Sequence, residues 1–158
     1  MQPLNLRRAL WEDRERIAHF NQQIALETED LALEWERVLS GVSAILKDPN
    51  KGFYVIALEQ DDIVGQLAVT YEWSDWRNAN FWWIQSVYVR SDRRRRAIYS
   101  QLHQHIKQLA ENDPGVCGLR LYVEEENEVA QSVYHTLGMK RSYYHIMEDA
   151  FLYASTKK

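Results

Sequence analysis

Residues 53–109 change their hydrophobic rhythm once, and that change sets the fold class. "FYVIALE" (53–59) and "IVGQLAVTYEW" (63–73) flank "QDD" and read as an antiparallel hairpin rich in β-forming residues. "SDWRNAN" (74–80) reads as a loop, and "FWWIQSVYV" (81–89) as a long strand of aromatic and branched side chains. The period then lengthens. Ile98, Leu102, Ile106 and Leu109 mark one face of a helix that stops near "ENDPG".

The flanks extend this pattern. "LNLRRA" (4–9) alternates as a strand, Ile17, Phe20, Ile24 and Leu31 recur at helical spacing, and Val38, Val42, Ile45 and Leu46 do so again before "DPNKG". These are two helices with a break near "ETED". "CGLRLYV" (117–123) reads as a strand, "NEVAQSVYHTL" (127–137) as a helix closed by Gly138, and "MKRSYYHIM" (139–147) as a final strand. Residues from about 150 to 158 read as a frayed tail. The order is β-α-α-β-β-β-α-β-α-β, an α+β class chain.

At 158 residues the simplest organisation is a single domain over 1–158. Six Gly, three Pro and 46% hydrophobic residues describe a globular chain that folds without staples. The lone Cys117 has no intramolecular partner and reads as a packed strand residue, not a nucleophile. His19, His103, His105, His135 and His145 lack companions at ligand spacing, so no metal is expected. No signal peptide is recognisable and no apolar run approaches the ~18 residues of a membrane span, so a soluble, cytoplasmic chain is expected.

Charge is distributed unevenly. The net charge is −4, yet residues 90–96 hold five arginines and one aspartate, which leaves −8 for the remainder. An acidic chain with one concentrated cationic spot does not resemble a general nucleic-acid binder. The arginines stand where a strand enters a helix, so unpaired amides and the positive end of the helix dipole converge there. Such a point binds phosphate, and guanidinium groups reinforce it. A solvated charged face, or a nucleic-acid patch, is the plainer reading of four consecutive arginines. In "NEVAQSVYHTLGM" (127–139), Asn127 is a good N-cap, and Ala130, Val133, Tyr134 and Leu137 form an i, i+3, i+4, i+7 face. On periodicity alone Tyr134 is a core aromatic.

Taken together, the two segments resemble a known family. "VYVRSDRRRRAIYSQL" is similar to the acyl-CoA motif of the GNAT N-acetyltransferase superfamily, Gln/Arg-x-x-Gly-x-Gly/Ala, with Arg94 at its first position. "NEVAQSVYHTLGM" resembles the family's downstream Asn-x-x-Ala-x-x-x-Tyr-x-x-x-Gly-Phe motif through Asn127, Ala130, Tyr134 and Gly138. The resemblance implies a GNAT-like fold, with a central mixed, mostly antiparallel sheet flanked by helices, and acetyl-CoA as cosubstrate. It puts the pantetheine along Val87, Tyr88 and Val89, and the diphosphate on Arg94, Arg95, Arg96, Ala97, Ile98 and Tyr99, with Asn127 as a further cofactor contact. Tyr134 resembles the family's general acid. Two positions depart from the motif: Ala97 replaces a glycine, acceptable where the backbone is near-helical, and Tyr99 replaces a small residue, so its ring must turn away from the phosphates.

Acyl transfer to an amine needs a neutral amine, an oxyanion partner and a proton for the departing thiolate. Many relatives carry Glu where this chain has Gln85, which accepts no proton at pH 7. The base is therefore a bound water or a carboxylate among Glu72, Asp75, Glu27 and Glu29, with Glu72 preferred. Trp73 and Trp76 flank Asp75 in the loop, and an aromatic beside a carboxylate suits an ammonium group. Glu27, Glu29, Trp73, Asp75, Trp76 and Gln85 are thus expected to bind a cationic primary amine on a small molecule or peptide. A non-catalytic acyl-CoA sensor and a nucleic-acid module acting through Arg93 to Arg96 are the alternatives. No nucleic acid and no membrane partner is expected, and a homodimer is possible because dimers are common in the family.

Overall fold

In the computed structural model, which describes residues 3–153, one five-stranded sheet separates two layers of helix. Strands β1 (Leu4–Arg8), β2 (Phe53–Glu59), β3 (Asp62–Ser74), β4 (Ala79–Val89) and β5 (Val116–Leu121) lie side by side in chain order. Helices α1 (Arg14–Glu29) and α2 (Trp35–Lys47) precede β2, α3 (Ile98–Glu111) connects β4 to β5, and α4 (Glu128–Thr136) follows β5. Neighbouring strands are antiparallel except β4 and β5, which run parallel because α3 returns the chain between them. The expected mixed, mostly antiparallel sheet is present.

β2 is apolar from Phe53 to Leu58 because both of its faces are covered there. Phe53, Val55 and Ala57 pack with Leu67, Val69, Trp82 and Ile84 under Ile98, Leu102 and Ile106 of α3. Tyr54, Ile56 and Leu58 pack on the opposite face with Ile17, Phe20 and Val42 of α1 and α2. The break at "ETED" is real: Asp30 takes a left-handed conformation (φ 50°) and ends α1.

β4 carries a bulge. Ala68 lies opposite Gln85 and Gln66 opposite Tyr88, so Ser86 and Val87 share the place of one residue across from Leu67. Ser86 has φ 49°, the left-handed region. The phase of the strand shifts by one: Trp82 and Ile84 face α3 before the bulge, Val87 and Val89 face it afterwards, and Tyr88 turns toward α1. The wholly buried Gln66 fastens the bend by donating from Nε2 to Ser86 O at 3.1 Å and to Asn21 Oδ1 at 2.9 Å. The bulge therefore rests on a buried polar network, and an alternating pattern alone does not disclose it.

One expected element is missing. Residues 139–147 form no strand, and Lys140 through Asp149 are exposed. Met139 N donates to Tyr134 O at 2.9 Å, Arg141 pairs with Glu125 at 3.3 Å, and Ser142 Oγ accepts from Tyr144 N at 3.3 Å. The segment pairs with no strand of the sheet. Of the expected tail, residues 150–153 carry no regular structure, and 154–158 lie outside the described residues.

Candidate active site

The site grows from what the bulge does to the far side of β4. β4 and β5 pair from Asn80↔Val116 to Ile84↔Leu121 and no further, although β4 continues to Val89. On the other side β3 stays paired through Gly65↔Val89. From Gln85 to Val89 the strand therefore offers one open edge to an extended partner. The side chains of Val87 and Val89 pack against the α3-side core.

That open edge leads to the start of α3. Its N-cap, Ala97, has φ 56° and ψ 24°, and no side chain caps the helix. Arg95 is left-handed as well, with φ 64°. A turn of this kind gathers successive N–H groups on one side, where the helix dipole also points. Ala97 is thus not near right-handed helical, the condition under which alanine was expected to be acceptable. It occupies the conformation that favours glycine, and its Cβ costs about 1–2 kcal/mol there.

The arginines are largely committed within the fold. Arg90 bonds Asp62 and Asp92; Arg93 bonds Glu59 at 2.8 Å and Asp92 at 2.7 Å; Arg96 approaches Glu59 at 3.9 Å. Arg94 donates from Nε to Val89 O at 2.9 Å and pairs with Glu27 at 2.7 Å, with its guanidinium 5.5 Å from the centre of the Tyr88 ring. Among the described residues, Arg95 is the one of the five with no carboxylate partner. The run therefore presents less free positive charge than its sequence suggests, and Arg94 is held at the mouth of the open edge.

Tyr99 joins the two motif segments. Its hydroxyl meets His103 Nδ1 at 3.0 Å, one turn further along α3, and its ring stands edge-on to Tyr134 at 5.7 Å between centroids. The ring is turned down the helix toward His103 and Tyr134. Burial pushes the Tyr134 hydroxyl above the ordinary tyrosine value, with Tyr99 partly offsetting it, so Tyr134 keeps its proton beyond neutral pH. Burial raises Tyr99 further, and the neighbouring Tyr134 adds to the shift. His103 is 1% exposed, its Nε2 has no partner, and burial followed by Lys107 lowers its pKa below the ordinary 6.5. Asn127 Oδ1 accepts from Ala130 N at 3.1 Å and caps α4, which brings Tyr134 to this place and leaves the amide Nδ2 as a donor.

The carboxylates and tryptophans expected at the acceptor site do not form one cluster. Glu27 lies beside Arg94 and Tyr88, near the end of β4, and Glu29 closes α1. Trp73, Asp75 and Trp76 stand at the β3–β4 hairpin tip, with Trp76 87% exposed and its backbone N–H bonded to Asp75 Oδ1 at 3.0 Å. The tip is separated from Val89 by nearly the whole of β4, ~30 Å at about 3.3 Å per residue. Glu72 lies between them on the sheet face, accepting from Trp83 Nε1 at 3.2 Å and from Arg120 at 2.5 Å. Gln85 donates to Thr70 Oγ1 at 2.6 Å on the same face. Arg120 and Trp83 escaped the sequence reading. β-strand alternation places them on the face of Gln85, but only the register Trp83↔Arg120 brings them together. Among the described residues no group of three or more His, Cys, Asp or Glu side chains could hold a metal ion, and no helix is long and apolar enough to cross a membrane.

A parallel β4–α3–β5 unit with an open strand edge, an uncapped helix entrance and a half-buried tyrosine opposite is the arrangement that the sequence resemblance implied. The model of the acetyltransferase (GNAT) family matches residues 6–139, and the chain belongs to that family. Among solved structures, a possible acetyltransferase from Clostridium difficile 630 is 42% identical, with 93% of this chain and 97% of that one covered at a TM-score of 0.87. AAC(6')-Iy, solved with the bisubstrate analog CoA-S-monomethyl-acetylneamine, shares the fold at 16% identity, covering 94% of this chain and 99% of its own, TM-score 0.76. A predicted acetyltransferase with acetyl-CoA from Clostridium acetobutylicum does so at 14% identity, with coverages of 93% and 96% and a TM-score of 0.76. None of the curated proteins compared with the chain matches it.

Two outcomes follow from this geometry. Ala97→Gly relieves a left-handed Cβ, and urea unfolding should show a gain of about 1 kcal/mol once glycine's larger unfolded-state entropy is subtracted. The neutral form of His103 is the one the fold prefers, so its stabilising contribution is complete above about pH 6.5 and is lost as pH falls through the lowered folded value. Denaturation at pH 7 and pH 5 should therefore show weaker folding in acid, and His103→Gln should narrow the difference.

Proposed function

We propose that the chain is an N-acetyltransferase that carries the acetyl group of acetyl-CoA to a primary amine on a cationic small molecule or peptide, by direct attack in a ternary complex. The observation that carries this reading is the open edge of β4, which ends at the uncapped α3 entrance with Tyr134 alongside. Acetyl-CoA supplies an activated thioester, and its diphosphate and amide-bearing arm suit these two features. The amides of Arg94 through Tyr99, with Ala97 and Ile98 at the helix start, receive the diphosphate alongside the side chains of Arg94, Arg95 and Arg96. The main chain of Val87, Tyr88 and Val89 pairs with the arm as an added strand would, and the Asn127 amide steadies its far side.

Tyr134, held above its ordinary ~10 by burial, is protonated at neutral pH and donates to the departing sulfur as the C–S bond breaks. Because a thiol titrates near ~8.5 this transfer runs uphill, and it is drawn to completion as the tyrosinate regains a proton from solvent. Glu72 accepts the proton of the incoming ammonium through the lone pairs that Trp83 and Arg120 leave open. Gln85 orients the acceptor on the same face. Glu27 and Glu29 draw a cation toward the inner end of the cleft, while Trp73, Asp75 and Trp76 meet the outer part of an extended acceptor such as a polyamine or a peptide. A likeness of fold to AAC(6')-Iy supports amines as the acceptor class and goes no further.

Thermal unfolding with and without acetyl-CoA, followed by thiol release over an amine panel, tests the reading. Saturating acetyl-CoA should raise the unfolding midpoint of the wild type and of Tyr134→Phe alike, while kcat of the variant falls at least tenfold; an unchanged midpoint in the wild type defeats the proposal. Glu72→Gln should lower kcat most near neutral pH, and its deficit should shrink toward pH ~10, where the amine loses its proton unaided.

A further inference from the structure

Tyr99 stands where the motif carries a small residue, and the diphosphate uses only its backbone amide. Its side chain is left without a task. The hydroxyl, however, lies between two polar groups. On one side is His103 Nδ1 at 3.0 Å, four residues further along the same face of α3, with the two rings edge-on at 5.7 Å between centroids. On the other is Tyr134 of α4, whose ring crosses that of Tyr99 at 76° with the hydroxyls close enough to hydrogen-bond. His103, Tyr99 and Tyr134 therefore form a polar chain, and its last member is the proposed acid.

The direction of the chain turns on one hydrogen. Tyr99 has a single O–H, which it gives either to His103 Nδ1 or to the Tyr134 oxygen. If His103 receives it, the neutral ring carries its own hydrogen on Nε2, a wholly buried atom with no partner. Native interiors leave an N–H orphaned more rarely than an acceptor. If Tyr134 receives it, the ring hydrogen sits on Nδ1 and is donated to Tyr99, while Nε2 keeps only a lone pair. Burial and the ammonium of Lys107 both disfavour a second proton on the ring, so it stays neutral. The charged groups that share its surroundings are Lys107, Glu111 at 3.9 Å from Lys107, and Lys140, with Cys117 contributed by β5.

We propose that His103 and Tyr99 are positioning residues for the acid step: His103 Nδ1–H donates to the Tyr99 oxygen, Tyr99 O–H donates to the Tyr134 oxygen, and the Tyr134 hydrogen is left for the departing sulfur. The inference rests on the reading of Tyr134 as the acid. As the C–S bond breaks, its electron pair goes to sulfur, the Tyr134 hydrogen follows to form S–H, and negative charge develops on the Tyr134 oxygen. The bond from Tyr99 then becomes charge-assisted and stronger, which lowers the cost of an uphill transfer. No proton leaves Tyr99 or His103, and the tyrosinate is restored from solvent. The hydroxyl at position 99 thus has a use that a small residue there cannot supply.

The His103 tautomer can be read in the wild type without turnover. With nitrogen-labelled histidine, and the signal assigned by its loss in His103→Gln, long-range proton–nitrogen correlation should show Nδ1 as the N–H nitrogen and Nε2 as the bare one. In steady-state kinetics Tyr99→Phe should lower kcat roughly tenfold or more, the loss of a hydrogen bond to a charged group, while KM for acetyl-CoA stays within about twofold. The double variant Tyr99→Phe, Tyr134→Phe should be no slower than Tyr134→Phe, because Tyr99 acts only through that hydroxyl. His103→Asn, which keeps an N–H near the place of Nδ1, should hold kcat closer to the wild type than His103→Leu does. If Tyr134→Phe turns over like the wild type, the acid reading fails and this one with it. If Tyr134→Phe is slow, then a hydrogen on Nε2, a Tyr99→Phe as fast as the wild type, or single losses that multiply in the double variant overturns the chain alone.

Discussion

β4 is paired along its whole length on one side and along only part of it on the other, and the site exists because of that difference. A strand hydrogen-bonded on both edges has no main-chain groups to offer. The bulge at Ser86 and the end of β5 pairing at Ile84 together release the edge from Gln85 to Val89. The bulge is held by Gln66, a fully buried amide bound to Ser86 O, so a polar contact deep under α1 maintains an opening toward the α3 side. A buried amide of this kind is costly to leave unpaired, which ties the shape of β4 to the integrity of the Asn21–Gln66–Tyr54 network.

Electrostatics at the α3 entrance come more from backbone than from the arginine side chains. Four of the five arginines are bonded to Glu27, Glu59, Asp62 or Asp92, and their charges are locally compensated. What stays directed outward is the uncapped helix start with two left-handed residues before it. The side chains brace the turn that shapes the amides, and Arg94, pinned by Val89 O and Glu27, marks where strand and helix meet. Tyr99 extends the same junction to α4, so that the α3 entrance and the proposed acid share one packed ring pair.

Much of the fold was legible because periodicity reports burial. The strands at 53–59, 63–73 and 81–89 and the face of Ile98, Leu102 and Ile106 appear within one or two residues of their expected limits. The strand expected at 139–147 did not appear: Tyr143, Tyr144 and Ile146 are β-forming residues, but the segment pairs with no strand, and bonds such as Met139 N to Tyr134 O and Tyr144 N to Ser142 Oγ are local. The motif spacing singled out Arg94, Asn127 and Tyr134 as candidates, whereas the Glu72–Arg120 pair arises from strand register, which relates residues 48 positions apart. Ala97 was identified as the departure from glycine, but its left-handed backbone, and hence its cost, was not readable from the residue type.

Chain chemistry alone determined the class of the molecule: local periods, caps and the turn between strand and helix are set by side-chain shape and solvation, and they need no distant partner. Tertiary structure decided which charges are free, where the β4 edge opens, and that Glu27 and Trp76 stand at opposite ends of one strand. Those properties depend on what lies across a sheet or under a helix, and contacts of that kind are fixed by packing in three dimensions, not by neighbours along the chain.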